Sequence, residues 1–385
     1  LVPEICSLQK DVAFVPKAQQ TGNLFHQPVT LAYPSGFTHA ATGSGAFSLQ
    51  DAAPATMKDA QVQGAQLLLR EQLDYELIAR ALKGRNAFRD SIGLVIENMQ
   101  KSFRKRLEGM LWYGQSGIGT VASVASTTIT ITTAEFAPFI WAGSEGSVIE
   151  VFNGTTSRGT ATITSVDIDA RTVTVNSMPA STGAGDLLFF ASANAGSSSF
   201  QECIGVHKIL SATTGSPFNI NIATYSLFRG TTQGIGSTVA SFTGIRKGIS
   251  KAVNKGLMEG LSLYVNPKTW DDLMTDLAAL RRLPDSKYDK YTIGADSIEY
   301  YSQNGKTVIK PCGFVKEGYA YALPTDHWKR IGAVDIVFGD PMFKDDIFFH
   351  IPTKAGVEMR AYTSQAIFTD APAKSILFSG IVNST

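Results

Sequence analysis

The chain has 385 residues and a formal net charge of +1, and 17% of its residues are charged, against about 25% in an ordinary soluble domain. An apolar content of 44% is too high for a disordered chain, the length suits two or three domains, and no window approaches the roughly 18 consecutive apolar residues of a membrane span. Near-neutrality excludes a whole-chain attraction to nucleic acid, and so sparse a charged surface points to a subunit that meets other copies over much of its area.

Residues 1–57 carry five charged residues: Glu4, Lys10, Asp11, Lys17 and Asp51. Val29, Leu31 and Tyr33 alternate with Thr30 and Ala32, as in a short strand. The segment is too apolar for a solvated tail and too irregular for a domain, so it is expected to lie along another surface, its own or a neighbour's. From Met57 to Arg70 a two-fold alternation runs through Ala60, Val62 and Ala65. Together with 25–40 it predicts a long two-stranded arm, which needs a surface to rest on because an isolated strand pair is marginal in water.

Residues 71–115 hold the strongest helical signal. Phe88, Ile92, Val95, Ile96, Met99, Phe103, Leu107 and Met110 recur at three- and four-residue spacing, which predicts a helix over 86–113, roughly 42 Å long at 1.5 Å per residue. Its other side is basic: Lys83, Arg85, Arg89, Lys101, Arg104, Lys105 and Arg106 stand against Asp90 and Glu97.

Composition changes sharply over residues 117–200, which contain no lysine or histidine, and two arginines against six acids. Threonines alternate with apolar residues at 127–132, 160–164 and 172–175, and Asn153-Gly154 is a hairpin turn signal. This predicts an inserted antiparallel β unit with its own small core. Beyond it, Phe242–Lys255 and Pro267–Leu280 read as helices. Strands are expected at Leu261–Val265, Ser297–Ser302, Thr307–Ile309, Tyr319–Leu323, Val334–Phe338, Val357–Tyr362 and Ser375–Val382.

No motif for chemistry survives its context. Gly117-Ile118-Gly119-Thr120-Val121-Ala122 fits a dinucleotide fingerprint, but a helix precedes it and a strand follows, the reverse of what that site needs. Gly305-Lys306-Thr307 lacks the first glycine of a phosphate loop, position 300 being Tyr300, and Asn304-Gly305 reads as a hairpin turn. The five histidines are dispersed, and Cys6, Cys203 and Cys312 show neither disulfide nor zinc spacing. No cofactor, metal or catalytic residue is expected, so the chain reads as a non-enzyme. The basic helix face is the one electrostatic feature, suited to salt-dependent contact with phosphates.

Several stretches carry a family resemblance: Leu69-Arg70-Glu71-Gln72-Leu73, Met110-Leu111-Trp112-Tyr113-Gly114, Thr172-Val173-Thr174-Val175, Val265-Asn266-Pro267-Lys268-Thr269-Trp270, Ile298 through Lys306, and Ala366-Ile367-Phe368. In their order behind an extended arm, a two-stranded loop and a long basic helix, they resemble the major capsid proteins of tailed bacteriophages, the Hong Kong 97-type or Johnson fold, in a subfamily with a small β insertion. The resemblance covers nearly the whole chain. It implies an α+β fold with an N-terminal arm (1–25), an extended β-hairpin loop (26–70), a peripheral domain with a spine helix (71–116 and 326–385), an inserted β-rich domain (117–200) and an axial domain (201–325).

The implied function is a coat protein that self-assembles as hexamers and pentamers of an icosahedral shell around double-stranded DNA. Shells of this kind are assembled in the bacterial host cytoplasm and become the virion capsid. Identical subunits and packaged DNA are the implied partners, with portal, scaffold and decoration proteins beside them and no membrane. The basic face formed by Lys101, Arg104, Lys105 and Arg106 is then expected to look toward the genome, and the acidic insertion away from it. A tail or fibre adhesin, a bacterial nanocompartment shell and an α/β enzyme using 117–122 are the competing readings.

Overall fold

The computed structural model describes residues 7–15, 24–76, 89–196, 199–276, 298–339 and 348–384. The expected helix start at 86–88, the cations Lys83 and Arg85, Cys6, and the helical positions Leu277 and Leu280 lie outside the described residues.

The first described element is a short helix, α1 (Ser7–Asp11), and strand β1 (Leu24–Ala32) pairs antiparallel with β2 (Thr56–Gln63). The predicted arm ends there. Gly64 lies close against Ser364 and Gln365, and beyond it β3 (Ala65–Asp74) leaves the hairpin. A single strand from 57 to 70 was the expectation; the chain instead changes sheet at Gly64, where a Cβ would lie 3.1 Å from Ser364 Oγ.

The long helix α2 (Arg89–Tyr113) follows, and its apolar stripe meets two surfaces. Met99 and Phe103 pack with Leu73, Met359 and Ala361, whereas Leu107, Leu111, Trp112 and Tyr113 enter the main core. There the Trp112 ring stands edge-on to Tyr264 at 5.4 Å and tilted against Tyr321 at 5.0 Å.

Six strands then close into a barrel: β4 (Gly119–Ala125), β5 (Thr128–Ile131), β6 (Val148–Asn153), β7 (Thr156–Asp167), β8 (Thr172–Val175) and β9 (Leu187–Phe190). Every pairing is antiparallel, in the order β4-β5-β8-β7-β6-β9, which leaves no open edge. The threonine alternation works as read: Ile129, Ile131, Val173 and Val175 point inward, and Thr128 meets Thr174 outside at 3.3 Å. The expected separate core does not form. A short helix α3 (Pro138–Trp141) with Phe136 plugs the barrel and makes its interior continuous with the main core.

The chain returns through α4 (Val206–Ser211), β10 (Thr231–Thr238), α5 (Phe242–Val253), β11 (Leu261–Val265), α6 (Pro267–Thr275), β12 (Ile298–Ser302), β13 (Gly305–Pro311) and β14 (Tyr319–Leu323). Ser241 caps α5 through Gly244 N at 3.3 Å, and Asn266 caps α6 through Lys268 N at 3.0 Å with Pro267 behind it. The final strands are β15 (Trp328–Phe338), β16 (Phe348–His350), β17 (Gly356–Thr369) and β18 (Ile376–Ile381).

Two sheets result. One has the order β10-β18-β14-β11-β13-β12; in the other, β17 pairs with β15 and β16 and also with β3. The expectation that all of 326–385 belongs with the spine helix is corrected here, because β18 lies between β10 and β14 in the six-stranded sheet. Its sequence requires a site buried on both faces: Ile376 and Phe378 pack with the α5 cluster, and Leu377 packs with the main core on the other side.

Residues 7–15 lie on the body of the same chain. Backbone amides of Leu8 and Gln9 donate to the Glu108 carboxylate at 2.7 and 3.1 Å, and Trp112 Nε1 donates at 3.1 Å. Arg330 donates from Nε to Val12 O at 2.9 Å and from Nη1 to Gln365 Oε1 at 3.0 Å. Burial pushes Glu108 up to about 7, and the three donors only partly oppose it. A carboxyl raised in the folded state contributes stability that is fully present below the model-peptide value of 4.5 and lost as pH rises through about 7. Between pH 4.5 and 7.5 the wild type is therefore expected to lose up to about 3 kcal/mol relative to Glu108→Gln. Urea midpoints measured at both pH values check this, and parallel pH dependences would refute it.

Candidate assembly surfaces and basic sites

Between β1 and β2 the chain makes a 33–55 excursion in which every residue is exposed or half-exposed. Its two legs touch each other through Ser35 N to Ala53 O at 3.1 Å and Gln50 N to Thr38 Oγ1 at 2.8 Å. Tyr33, Phe37, Phe47 and Leu49 stand 86, 73, 52 and 80% exposed. Large apolar side chains grouped on one protruding segment mark an interaction surface.

The basic helix face divides. Lys101 pairs with Glu97 at 2.6 Å, and Arg104 is exposed. Lys105 turns to the barrel and donates to Ala142 O, and burial lowers its pKa to about 8. Arg106 lies roughly 160° around the helix from Arg104. Its guanidinium stacks on Phe190 of β9 at 3.1 Å from the ring centroid, and burial lowers it to about 10. The expectation of four cations on one face is corrected: Lys105 and Arg106 hold the insertion against α2, and Lys101 and Arg104 remain at the surface.

The insertion is fixed at a second place. Residues 312–318 run against 134–139, with Phe139 N bonding Gly313 O at 3.0 Å, Glu317 N bonding Phe136 O at 3.0 Å and Gly318 N bonding Ala134 O at 3.0 Å. A Cβ on Gly313 would lie 2.4 Å from the Phe139 ring, and one on Gly318 would lie 2.6 Å from Ala134 Cβ, so both glycines are needed for this approach.

Two ion pairs flank the contact. Lys316 Nζ meets Glu135 Oε2 at 2.5 Å and Gly117 O at 3.1 Å, and Tyr319 OH donates to Glu135 Oε1 at 2.7 Å. Arg171 grips Glu317 in a two-pronged contact at 2.9–3.2 Å. Burial alone would raise Glu135; the Lys316 charge and the bonds from Lys316 and Tyr319 outweigh it and hold the carboxyl below its ordinary value.

The dismissed motifs take structural roles. Gly117 has φ +79 where the chain turns into the barrel, and Ile118 N bonds Leu188 O at 2.8 Å. Gly305, φ +97, closes the β12–β13 hairpin. His207 is half-buried among Tyr113, Tyr319 and Tyr321, and desolvation drives its pKa down to about 3. Among the described residues no group of three His, Cys, Asp or Glu side chains is placed to hold a metal, and no helix is long and apolar enough to cross a membrane.

One basic group escaped the sequence reading. Arg229, Lys251 and Lys255 line a cavity of about 450 Å³ between the start of β10 and the end of α5. The available signal was a deficit: residues 203–258 contain six lysines and arginines and no acid.

No protein-family model and no curated protein matches the sequence. Solved structures do match. The cyanophage A-1(L) capsid asymmetric unit is 12% identical with a TM-score of 0.55, over 99% of this chain and 94% of that one. The capsid of a native GTA particle is 8% identical with a TM-score of 0.52, over 99% and 92%. At such identities the likeness is one of fold, and with its arm, protruding hairpin, long helix and two sheets this α+β chain has the Hong Kong 97-type capsid fold, carrying a closed β-barrel after the long helix.

Proposed function

We propose that the protein is a major capsid protein, a non-catalytic subunit that assembles as hexamers and pentamers into a closed icosahedral shell around double-stranded DNA. On this reading the shell is built in the bacterial host cytoplasm and becomes the virion capsid, with portal, scaffold and decoration proteins as further partners. The observation that carries the reading is the 33–55 excursion: on a capsid fold, it displays Tyr33, Phe37, Phe47 and Leu49, all more than half exposed. Ordering such a segment costs chain entropy that burial on identical neighbours offsets.

Electron microscopy of the purified protein tests the proposal: closed particles are expected, and fibres or small soluble oligomers would refute it. Nuclease-protected DNA inside particles from producing cells distinguishes a genome container from a nanocompartment, which would hold cargo protein instead.

Lys101 and Arg104 remain the candidates on α2 for facing the genome. Lys101→Glu with Arg104→Glu is expected to lower protected DNA per particle at least several-fold while particles still form, because like charges now face the phosphates. Equal DNA content in wild-type and variant particles would remove these two residues from that role.

A further inference from the structure

The acid-free run from 203 to 258 folds so that its cations meet. Lys247 and Lys251 lie one turn apart on the exposed side of α5, Lys255 follows the helix end, and Arg229 reaches the same cavity from the segment before β10. Thr213, Thr232 and Asn254 add hydroxyl and amide groups to the lining, and no carboxylate is among the lining residues. Among the described residues, none of Arg229, Lys251 and Lys255 pairs with an acid. Two lysines near a helix C-terminus are ordinary, since the helix dipole favours them there. Arg229 is not, because it comes from another element and adds a third positive charge with nothing to balance it. Burial, then the charges of Arg229 and Lys251, depress the Lys255 ammonium. An anion in the cavity would relieve that repulsion and take hydrogen bonds from the same groups.

We propose that this cavity binds the phosphodiester backbone of a nucleic acid, with Arg229, Lys251 and Lys255 as the charged contacts and Thr213, Thr232 and Asn254 as polar ones. The surface continues past the cavity along α5 to Lys247, one turn before Lys251, so the positive stripe is longer than one small anion would need. A regularly charged polymer fits it, with about one charge per 1.7 Å of duplex axis. The contact carries no base information, because it is made to phosphate and not to base edges. This site is separate from Lys101 and Arg104, and its place inside a particle rests on the shell reading; its affinity for DNA does not.

The test uses unassembled full-length subunits and a fluorescently labelled 20-base-pair duplex, with anisotropy followed across salt concentrations. Arg229→Gln with Lys251→Gln and Lys255→Gln is expected to weaken binding at 50 mM salt at least tenfold. The slope of log affinity against log salt should fall by about 2 to 3, near 0.9 per lost phosphate contact. Lys251→Gln alone, at an exposed position, is expected to lower the slope by about 1 without altering the fold, and Lys354→Gln, an exposed cation elsewhere, to leave it unchanged. Unchanged affinity and slope in the triple variant would overturn the proposal. So would tight binding of inorganic phosphate with no duplex binding, which marks a small-anion site, or a matching loss for a glutamate-rich peptide, which marks a protein contact. Particle formation by the same variants, viewed by electron microscopy, reports on the shell reading independently.

Discussion

Replacing Phe37, Phe47 and Leu49 together by serine is expected to abolish shell formation while leaving the unfolding of the isolated subunit unchanged. All three side chains are mostly exposed in the subunit, so the folded monomer loses no packing when they are shortened. Exposed substitutions of this kind usually change stability by no more than about 0.5 kcal/mol. On the proposed shell reading, neighbouring subunits cover the same side chains, and each is worth about 1.5–3 kcal/mol when fully buried. Removing three therefore takes roughly 5–9 kcal/mol from every copy of the contact, and a closed shell repeats that contact at every subunit. Light scattering and electron microscopy read assembly, and denaturant unfolding reads the monomer. Normal particles from the triple variant would show that the excursion contributes little to assembly. A destabilised monomer would show that it is part of the subunit's own core.

Lys316→Met is expected to destabilise the subunit by about 3–5 kcal/mol, and Lys316→Met with Glu135→Gln to recover most of that loss. Lys316 is 1% exposed, and its ammonium pairs with the Glu135 carboxylate at 2.5 Å. Methionine fills nearly the same volume, so the single variant strands a carboxylate at the joint between barrel and body without opening a large cavity. The second change neutralises that carboxylate and keeps an acceptor for Tyr319 OH. Acid should imitate the loss. Glu135 is held below its ordinary value, so its contribution is present above about pH 4.5 and disappears as pH falls through the lower folded value. The wild type, but not the double variant, is expected to show this component of acid sensitivity. Equal losses in the single and double variants would mean that the ion pair does not fix the insertion, and that the backbone contacts of 312–318 with 134–139 suffice.

The two results bear on different scales. The first concerns a surface that the subunit leaves uncovered, and the second a joint that makes barrel and body one packed unit. The continuous core through Phe136, Trp141 and Phe314 supports the same conclusion. The insertion is held to the body by Lys105, Arg106, Lys316 and Arg171 in addition to its two connections. Those connections lie side by side, with Gly205 N bonding Gly114 O at 3.0 Å.

Local periodicity determined a great deal here. The spacing of Val95, Met99, Phe103 and Leu107 specified the spine helix, and Asn266-Pro267 specified where a later helix begins. Alternating threonine with isoleucine or valine specified barrel strands, because a period of two separates the inside of a sheet from the outside without reference to any distant residue. Uncovered loop residues were also foreshadowed, since apolar side chains without periodicity or charge have no local structure to satisfy them.

Tertiary structure alone decided which strands became neighbours and which charges became paired. The arm ends at Gly64, where Ser364, three hundred residues away, packs tightly, 3.1 Å from where a Cβ would stand. Ile376–Ile381 joins the six-stranded sheet because both of its faces find apolar partners there. Lys105 and Arg106 read as one basic face with Lys101 and Arg104 because a sequence gives spacing along a helix but not what lies opposite it. Lys316 and Glu135 are separated by 181 residues. Their attraction exists only once a low-dielectric interior has formed around them, and no local pattern can encode that.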